Sequence, residues 1–268
     1  MPQVKSEGII LKSVNWKENS KIHTIFTDNA GRQSLIDKGG RSLKSKRGRL
    51  MTFTRMELGY FKSEKSEVCY VTEVDPIESF EFRLDGTLGR LTFASAALEL
   101  LYDLLPADEP QEGLYHLTIQ YLRLIDRIAK TAVIPVFIAF FLKLLSYLGY
   151  RPNFAGCNSC GKDKKSTLTI NSNNGSYYNF SPERGGLVCS TCQMAGEYYI
   201  KLQSERLDKI YSLQTASLAE SAGIGLRLDE AEEFLELLTA FVRFQTDIRE
   251  LNSLKFLEKL KKTSLRNI

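Results

Sequence analysis

Short stretches in which apolar and polar residues alternate occupy the first part of the chain. Alternation with a period of two is typical of half-buried strands, and residues 28–31 (DNAG) are typical of a turn. The predicted strands cover residues 8–11, 21–27, 33–37, 53–62 and 67–74, and Asp75-Pro76 is expected to end the set. About five short strands fit a small closed barrel, because closure leaves few exposed edges. We therefore predict an OB-fold barrel over residues 1–80.

The apolar spacing changes from strand-like to helical at about residue 84. The predicted helices cover about 84–105, 114–128, 134–147, 202–218, a segment that Asp229 opens as N-cap, and 251–262. Residues 152–196 differ, since Gly, Asn, Ser and Cys dominate there and leucine is sparse. The sequence predicts an α+β multi-domain chain, in which an all-α helical domain over 81–268 is interrupted by the 152–196 insert.

Four of the five cysteines form two pairs with two-residue spacing inside this insert. They are Cys157, Cys160, Cys189 and Cys192, and 28 residues separate the pairs. Each pair can form a knuckle that directs two sulfurs to one point, and four thiolates in a tetrahedron are what structural zinc prefers. The residues between the pairs resemble a β-hairpin that turns at 173–175. The pattern predicts a four-cysteine zinc ribbon with one structural ion per chain.

Two other interpretations of the cysteines stay open at this point. Four unligated core thiols, or two redox pairs, have the same spacing, although no βαβ unit adjoins either CxxC as a thioredoxin-like motif requires. The fifth cysteine, Cys69, lies in a predicted strand and is expected to be a small buried apolar residue.

Composition and signals place the chain among cytosolic globular proteins. Hydrophobic residues make up 43% and charged residues 25% of the 268 residues, which is close to globular averages. No basic segment followed by an apolar stretch begins the chain, and the apolar run at 132–142 is too short to span a bilayer and is expected to be a buried helix. We expect reduced thiols in this compartment, which favours metal ligation over disulfides.

Positive charge is concentrated in the predicted barrel, although the net charge of the whole chain is only +4. Residues 32–55 contain eight basic residues and one acidic residue, so their local net charge is +7. The basic residues are Arg32, Lys38, Arg41, Lys44, Lys46, Arg47, Arg49 and Arg55. Cations of this density neutralise phosphates and release counterions, so we predict that these residues bind nucleic acid without reading bases.

Aromatic residues of the barrel are candidates for stacking on bases. The candidates are Phe26, Phe53, Tyr60, Phe61 and Tyr70, for most of which filling the core of a small barrel is the preferred interpretation, and Trp16, which fits a surface turn. The basic run has its own alternatives, which are a merely solvated loop and a surface for an acidic protein partner.

Signatures of catalysis are absent from the sequence. The two histidines, His23 and His116, begin neither an HxE nor an HExxH motif, and no Walker A, GxGxxG or GxSxG sequence occurs. The acids near 229–236 resemble a charged helix start more than the metal cluster of a nuclease. We therefore expect a protein that is not an enzyme and has no catalytic residues.

Together these residues resemble the RecO recombination-mediator family of bacterial DNA repair, in its zinc-binding branch. The matching residues are 7–11 (EGIIL), 18–22 (ENSKI), 25–27 (IFT), Gly31, 38–41 (KGGR) and 44–45 (KS). The order of barrel, helical bundle and cysteine insert also matches, over essentially the whole chain. Gly40 departs from the pattern, where alanine is more usual.

The resemblance implies a role without catalysis. Such proteins bind single- and double-stranded DNA, anneal complementary strands and, with RecR, help RecA replace single-strand binding protein (SSB), whose acidic, aromatic-ended tail they contact. It also implies a cytoplasmic, nucleoid-associated protein with no membrane partner. Of the basic residues, Arg41, Lys44, Lys46 and Arg47 lie in the matching motif. Alternatives are an RNA-binding zinc-ribbon protein, an interaction scaffold and a metal-dependent nuclease.

Overall fold

A computed structural model describes residues 3–41, 50–62, 68–82, 88–171, 175–246 and 248. The described residues form two compact units, the first within residues 3–127 and the second within residues 128–248. Among its described residues the first unit contains two helices besides the strands, and the predicted domain boundary at residue 80 stays a prediction. The predicted helix at 251–262 lies outside the described residues.

Five strands close into a barrel in the first unit, which confirms the predicted OB fold. They are β1 (Gln3–Trp16), β2 (Ser20–Thr27), β3 (Gly31–Lys38), β4 (Thr54–Phe61) and β5 (Val68–Ser79). Their order around the barrel is β1-β2-β3-β5-β4. The β3–β5 pair is parallel and the other described pairs are antiparallel. All five strands overlap the stretches that the alternating pattern selected.

The interior of the barrel holds the apolar half of each alternating pattern. It comprises Ile10, Ile25, Leu35, Met56, Leu58, Tyr60, Cys69, Val71 and Val74. Cys69 is fully buried, and burial raises the pKa of its thiol, so it behaves as the small apolar residue that the sequence predicted. Because neighbouring residues on a strand face opposite sides, the residues between these positions form the outer face of the barrel.

Strand β5 continues past Asp75-Pro76, where the sequence analysis ended it. Pro76 is paired with Met56, and the register shifts between Arg55 and Met56 at that point. A proline has no N–H to donate to the ladder and is accepted at such irregularities. The turn residues therefore mark a bulge and not the end of the strand.

Two helices pack on the barrel within the first unit. They are α1 (Leu88–Leu104) and α2 (Glu112–Arg127). Tyr115 of α2 meets Phe26 of β2 edge to face, with 5.5 Å between ring centroids. The loop between the helices pairs with β3, because Asp108 N–H donates to the carbonyl of Arg32 at 3.2 Å. This pairing fixes the connection between the two helices to the start of β3.

The helical part of the second unit surrounds one apolar helix, α3 (Val133–Tyr147). Residues Lys130–Tyr147 are long and apolar enough to cross a membrane by length and composition, but 67% of this window is buried inside the structure, as in a core helix. Helices α4 (Ser204–Thr215), α5 (Leu218–Ser221) and α6 (Leu228–Gln245) pack against α3. The sequence pattern predicted this burial of α3.

Two predicted helix boundaries in the second unit are wrong. The helix expected over 202–218 begins at Ser204 and stops at Thr215, because Ser217 starts the next helix in a capping box with Glu220. Helix α6 has Arg227 and not Asp229 as its N-cap. Glu230 accepts from Arg227 N–H at 2.9 Å, which places Asp229 inside the first turn.

The cysteine insert folds as a small five-stranded sheet. Its strands are β6 (Asn153–Cys157), β7 (Thr169–Asn171), β8 (Gly175–Ser181), β9 (Gly186–Val188) and β10 (Ile200–Gln203). Their order is β10-β8-β9-β6, and β7 pairs with β8 as the predicted hairpin. Strand β10 lies beyond the predicted end of the insert at residue 196.

Candidate metal centre and nucleic-acid interface

The two cysteine pairs lie at the ends of two adjacent strands of the small sheet. Cys157 ends β6 and Cys189 follows β9, and these two strands are paired in parallel. Each pair closes a tight turn, because Gly161 N–H donates to Cys157 O and Cys192 N–H donates to Cys189 O, both at 2.9 Å. Gly161 has φ +71°, which a residue without a Cβ adopts at little cost.

The four thiol sulfurs converge on one point. All four lie within 4.8 Å of one another, and the Sγ atoms of Cys160 and Cys189 are 3.7 Å apart. A tetrahedral zinc ion with Zn–S bonds of about 2.3 Å has sulfurs about 3.8 Å apart. The spacing and the all-sulfur donor set therefore fit a closed, four-coordinate metal centre, as the sequence predicted.

Local hydrogen bonds favour the thiolate form of two of these cysteines. Thr191 Oγ1, 3.1 Å from Cys189 Sγ, is the main cause that lowers the pKa of Cys189 to about 6. Burial alone would raise the pKa of Cys157, but the N–H of Cys189, at 3.4 Å, and other backbone donors outweigh it and lower this pKa. The neighbouring thiols raise the pKa of Cys192. A metal ion displaces the protons that such a cluster shares.

The predicted basic segment falls into two parts. Lys44, Lys46, Arg47 and Arg49 lie outside the described residues, and their predicted contacts with nucleic acid stay predictions. Arg32, Lys38, Arg41 and Arg55 are described, and the structure places them at different parts of the barrel.

Lys38 and Arg41 lie together at the end of the barrel that carries the β1–β2 turn. Lys38 is exposed, and its Nζ lies 4.6 Å from the centroid of the Tyr70 ring. Arg41 is also exposed, and its Nη1 donates to the carbonyl of Glu18 at 2.8 Å. This contact anchors the start of the basic segment to the β1–β2 turn, which includes Lys17.

Arg32 and Arg55 are directed into the protein. Arg32 Nη1 donates to the carbonyl of Tyr102 on α1 at 3.0 Å. Arg55 forms an ion pair with Glu7, with 2.6 Å between Nη2 and Oε2. The structure thus brings together two of the four described basic residues and leaves the other two in contacts within the first unit.

The outer face of strands β1, β2, β3 and β5 carries apolar and aromatic side chains beside Lys38. We call this set the outer-face patch. It consists of Val14, Trp16, Ile22, Ile36, Lys38 and Tyr70. Trp16 and Val14 are each 45% exposed and Tyr70 is 36% exposed, so the rings are partly open to solvent. Exposed rings beside cations are the combination that binds single strands by stacking and charge.

Of the described elements, α1 and α2 cover the opposite end of this outer face. Phe26, on the same side of β2 as Ile22, is fully buried and meets Tyr115 of α2. Lys12, on the same side of β1 as Val14, has its Nζ 4.3 Å from the ring centroid of Tyr102 on α1. Among the described residues the patch therefore begins where the helical cover ends.

Sequence reasoning named Trp16 and Tyr70 as candidates but could not place them on one face of the barrel, and it did not single out Lys17 of the β1–β2 turn. The available signal was the even spacing of Lys12, Val14 and Trp16, which puts them on one face of a strand. The sharing of that face with Tyr70 depends on the parallel β3–β5 register, which pairs Ile36 with Tyr70.

His23 lies inside the same end of the barrel as the patch. Its Nδ1 is 2.7 Å from Ser13 Oγ in a hydrogen bond, and the side chain is buried. Burial, and then the charge of Lys21, lower the pKa of His23 to about 4. The ring is therefore neutral at pH 7 and adds no charge to this end of the barrel.

The closed barrel and the four-thiol insert define an OB-fold protein with a candidate metal centre. Comparison with known protein families identifies the family to which the chain belongs. Residues 1–80 match the model described as recombination protein O N terminal, and residues 86–255 match recombination protein O C terminal. The chain therefore belongs to the recombination protein O (RecO) family of bacterial DNA repair mediators, which confirms the resemblance and supports a role in DNA repair.

Curated relatives match over nearly the whole chain. The DNA repair protein RecO of Symbiobacterium thermophilum is 28% identical over 256 residues, which are 95% of this chain and 96% of the relative. The DNA repair protein RecO of Caldicellulosiruptor saccharolyticus is 26% identical over 261 residues, which are 96% of this chain and 100% of the relative.

Proposed function

We propose that this chain is a recombination mediator that acts without catalysis. It binds single- and double-stranded DNA through its barrel, anneals complementary strands and, with RecR, helps RecA replace SSB on single strands. Family membership supports the DNA repair role. The observation that carries the DNA-binding part is the outer-face patch, where the Tyr70 ring lies beside Lys38 at the start of the basic segment and Trp16 is exposed on the same face.

DNA binding combines two physical effects at this end of the barrel. Lys38, Arg41 and the basic residues that follow neutralise phosphates, and a site of about five phosphates predicts a roughly hundredfold loss of single-strand affinity between 50 and 200 mM salt. Unpaired bases can stack on the rings of Trp16 and Tyr70, and every base has a flat face that can stack in this way. Binding is therefore independent of sequence.

Annealing follows from the neutralised charge. Two complementary strands repel each other through their phosphates, and a cationic surface that holds a strand with its bases accessible lowers that repulsion. The protein need not break or form a covalent bond for this step. Its place of action is the bacterial cytoplasm, in association with the nucleoid.

The metal in the insert is a single zinc ion with a structural role. Cys157, Cys160, Cys189 and Cys192 would hold it, and four thiolates leave no position for water or substrate. Cys157 at the end of β6 and Cys189 after β9 would hold such an ion between these two strands, and its coordination would stabilise the sheet. The sulfur spacing and the hydrogen-bonded thiols support this assignment.

A groove in the second unit is the proposed site for the acidic, aromatic-ended tail of SSB. It has a volume of about 300 Å³, and Arg151, Phe154 and Tyr211 are among its lining residues. Arg151 is exposed and Tyr211 is 40% exposed, so a cation and a ring are available to a carboxylate and an aromatic side chain. Lys143 is outside this lining, but its Nζ donates to the carbonyl of Gln214, another lining residue, at 3.4 Å.

The decisive experiment measures annealing of complementary strands coated with SSB, with intact or tail-deleted SSB. We expect annealing that depends on the tail and that Arg151→Ala weakens, with Lys201→Ala as a control at an exposed cation of the β10 strand. Annealing of naked strands should be unaffected by Arg151→Ala. A clear preference for RNA in competition, or cleavage of DNA with added magnesium, would contradict the proposal.

A further inference from the structure

One arginine lies between the two cysteine knuckles and contacts both. Arg184, in the loop between β8 and β9, donates from Nη1 to Ser159 Oγ at 2.8 Å and to the carbonyl of Cys192 at 3.0 Å. Ser159 lies inside the first CxxC, and Cys192 ends the second. The carbonyl of Arg184 also accepts from Asn158 Nδ2, a second residue of the first CxxC.

A nearly buried carboxylate fixes the orientation of this guanidinium. Arg184 Nη2 lies 2.6 Å from Oε2 of Glu197, whose side chain is only 8% exposed. Tyr199 Oη donates to the same oxygen at 2.5 Å, and Ser181 Oγ donates to Oε1 at 2.6 Å. Because both carboxylate oxygens accept from neighbours, Glu197 cannot rotate freely, and it holds Arg184 in one geometry.

Charge favours a cation at this place when the site is loaded. Four thiolates and one Zn²⁺ carry a net charge of −2, which a neighbouring guanidinium partly compensates. Groups that orient the ligands of a metal in this way typically change metal affinity by 10–100-fold when they are removed. The planar fork of arginine places its donors on separate nitrogens in a fixed geometry that reaches all three acceptors, whereas the donors of a lysine ammonium all lie on one nitrogen.

We propose that Arg184, oriented by Glu197, is a positioning residue that determines how tightly the insert holds its metal ion. It joins the two knuckles through Ser159 and Cys192, so that the four sulfurs are already close to their metal-binding positions before the ion binds. This inference rests on the structural zinc site proposed above.

The test measures zinc affinity of the full chain by competition with a chromogenic chelator. Arg184→Ala should raise the zinc dissociation constant 10–100-fold, and Arg184→Lys should recover only part of that loss. The control is Lys201→Ala, which removes a cation of the same sheet whose Nζ lies 5.0 Å from the centroid of the Tyr177 ring. This substitution should change the zinc dissociation constant by less than twofold. Glu197→Gln keeps the shape of the side chain and should also raise the zinc dissociation constant. This variant replaces Arg184→Ala in the test if Arg184→Ala does not fold.

Thermal unfolding separates positioning from a merely structural role. If Arg184 acts on the metal, Arg184→Ala reduces the difference in unfolding temperature between the zinc-loaded and the metal-stripped protein. An equal fall in both forms, or a zinc affinity within twofold of the unsubstituted chain, overturns the inference. If the unsubstituted chain binds no zinc at all, the metal-site proposal fails and this inference fails with it.

Discussion

Removal of the two aromatic rings of the outer-face patch tests the proposed DNA interface most directly. The double substitution Trp16→Ala and Tyr70→Ala takes away the rings on which bases would stack but leaves every cation in place. Trp16 ends β1 and Tyr70 lies within β5, and both rings face outward from the barrel. We therefore expect the barrel to stay folded.

The size of the effect follows from the exposure of the rings. Base stacking on an aromatic side chain contributes about 1–3 kcal/mol per base. Trp16 is 45% exposed and Tyr70 is 36% exposed, so part of each ring packs on the barrel and the lower end of that range applies. Two rings then contribute about 2 kcal/mol, and their loss should weaken single-strand binding roughly thirtyfold.

Fluorescence anisotropy of a labelled single strand at several salt concentrations measures this loss. The slope of log affinity against log salt should stay unchanged, because no phosphate contact is removed. Trp16 is the single tryptophan of the chain, so its own fluorescence should also be quenched when a base stacks on it. Tyr147→Ala, at a tyrosine of α3 that is 52% exposed, is the matched control and should have less than a twofold effect.

Two outcomes would refute this account of the patch. One is a loss of affinity below threefold in the folded double variant. The other is tryptophan fluorescence that does not change when the protein is saturated with single-stranded DNA. Either result would show that the cations bind the DNA without a contribution from stacking on the two aromatic rings.

Three further predictions concern charge, pH and metal. Lys38→Ala with Arg41→Ala should weaken binding to all sequences alike and make the salt slope shallower by about 1.4, as measured by anisotropy, and a sequence-dependent loss would contradict it. The pKa of His23 is about 4 in the folded protein and about 6.5 in the unfolded chain, so the unfolded chain binds the proton first as the pH falls. Lowering the pH from 7 to 5 should therefore reduce the free energy of unfolding by about 2 kcal/mol through this residue. Denaturant titrations of His23→Gln should lack this part of the loss, whereas the exposed His116→Gln should keep it. Chelation of the metal, or Cys160→Ser, should lower the unfolding temperature of the second unit and leave single-strand affinity within twofold, and a large fall in affinity would show that the insert takes part in DNA binding.

The sequence predicted most of the elements because their signals are local. Alternation in residues 21–27 and 33–37 reports which side chains a barrel buries, and the apolar surface of 134–147 reports a central helix. Errors arose where a local signal has two meanings. Pro76 marks a bulge as readily as a strand end, and an acid in the first turn, such as Asp229, resembles an N-cap.

The candidate metal centre could also be predicted from the chain alone, because a CxxC turn brings its two sulfurs together within four residues. Which basic residues are exposed and can contact DNA could not be predicted in this way. Arg32 and Arg55 are indistinguishable from Lys38 in a count of charges, but α1 and Glu7 hold them inside the first unit. The same limit hid the contact of Arg184 with both knuckles.

Which side chains share a surface became apparent only in the folded protein. Trp16 and Tyr70 are more than fifty positions apart, and their common face depends on the register of four strands and on the point where the helices stop covering the barrel. Spacing along a chain encodes the period of one strand or helix. Pairing between distant strands depends on how the whole barrel closes, and no single segment of the sequence contains that information.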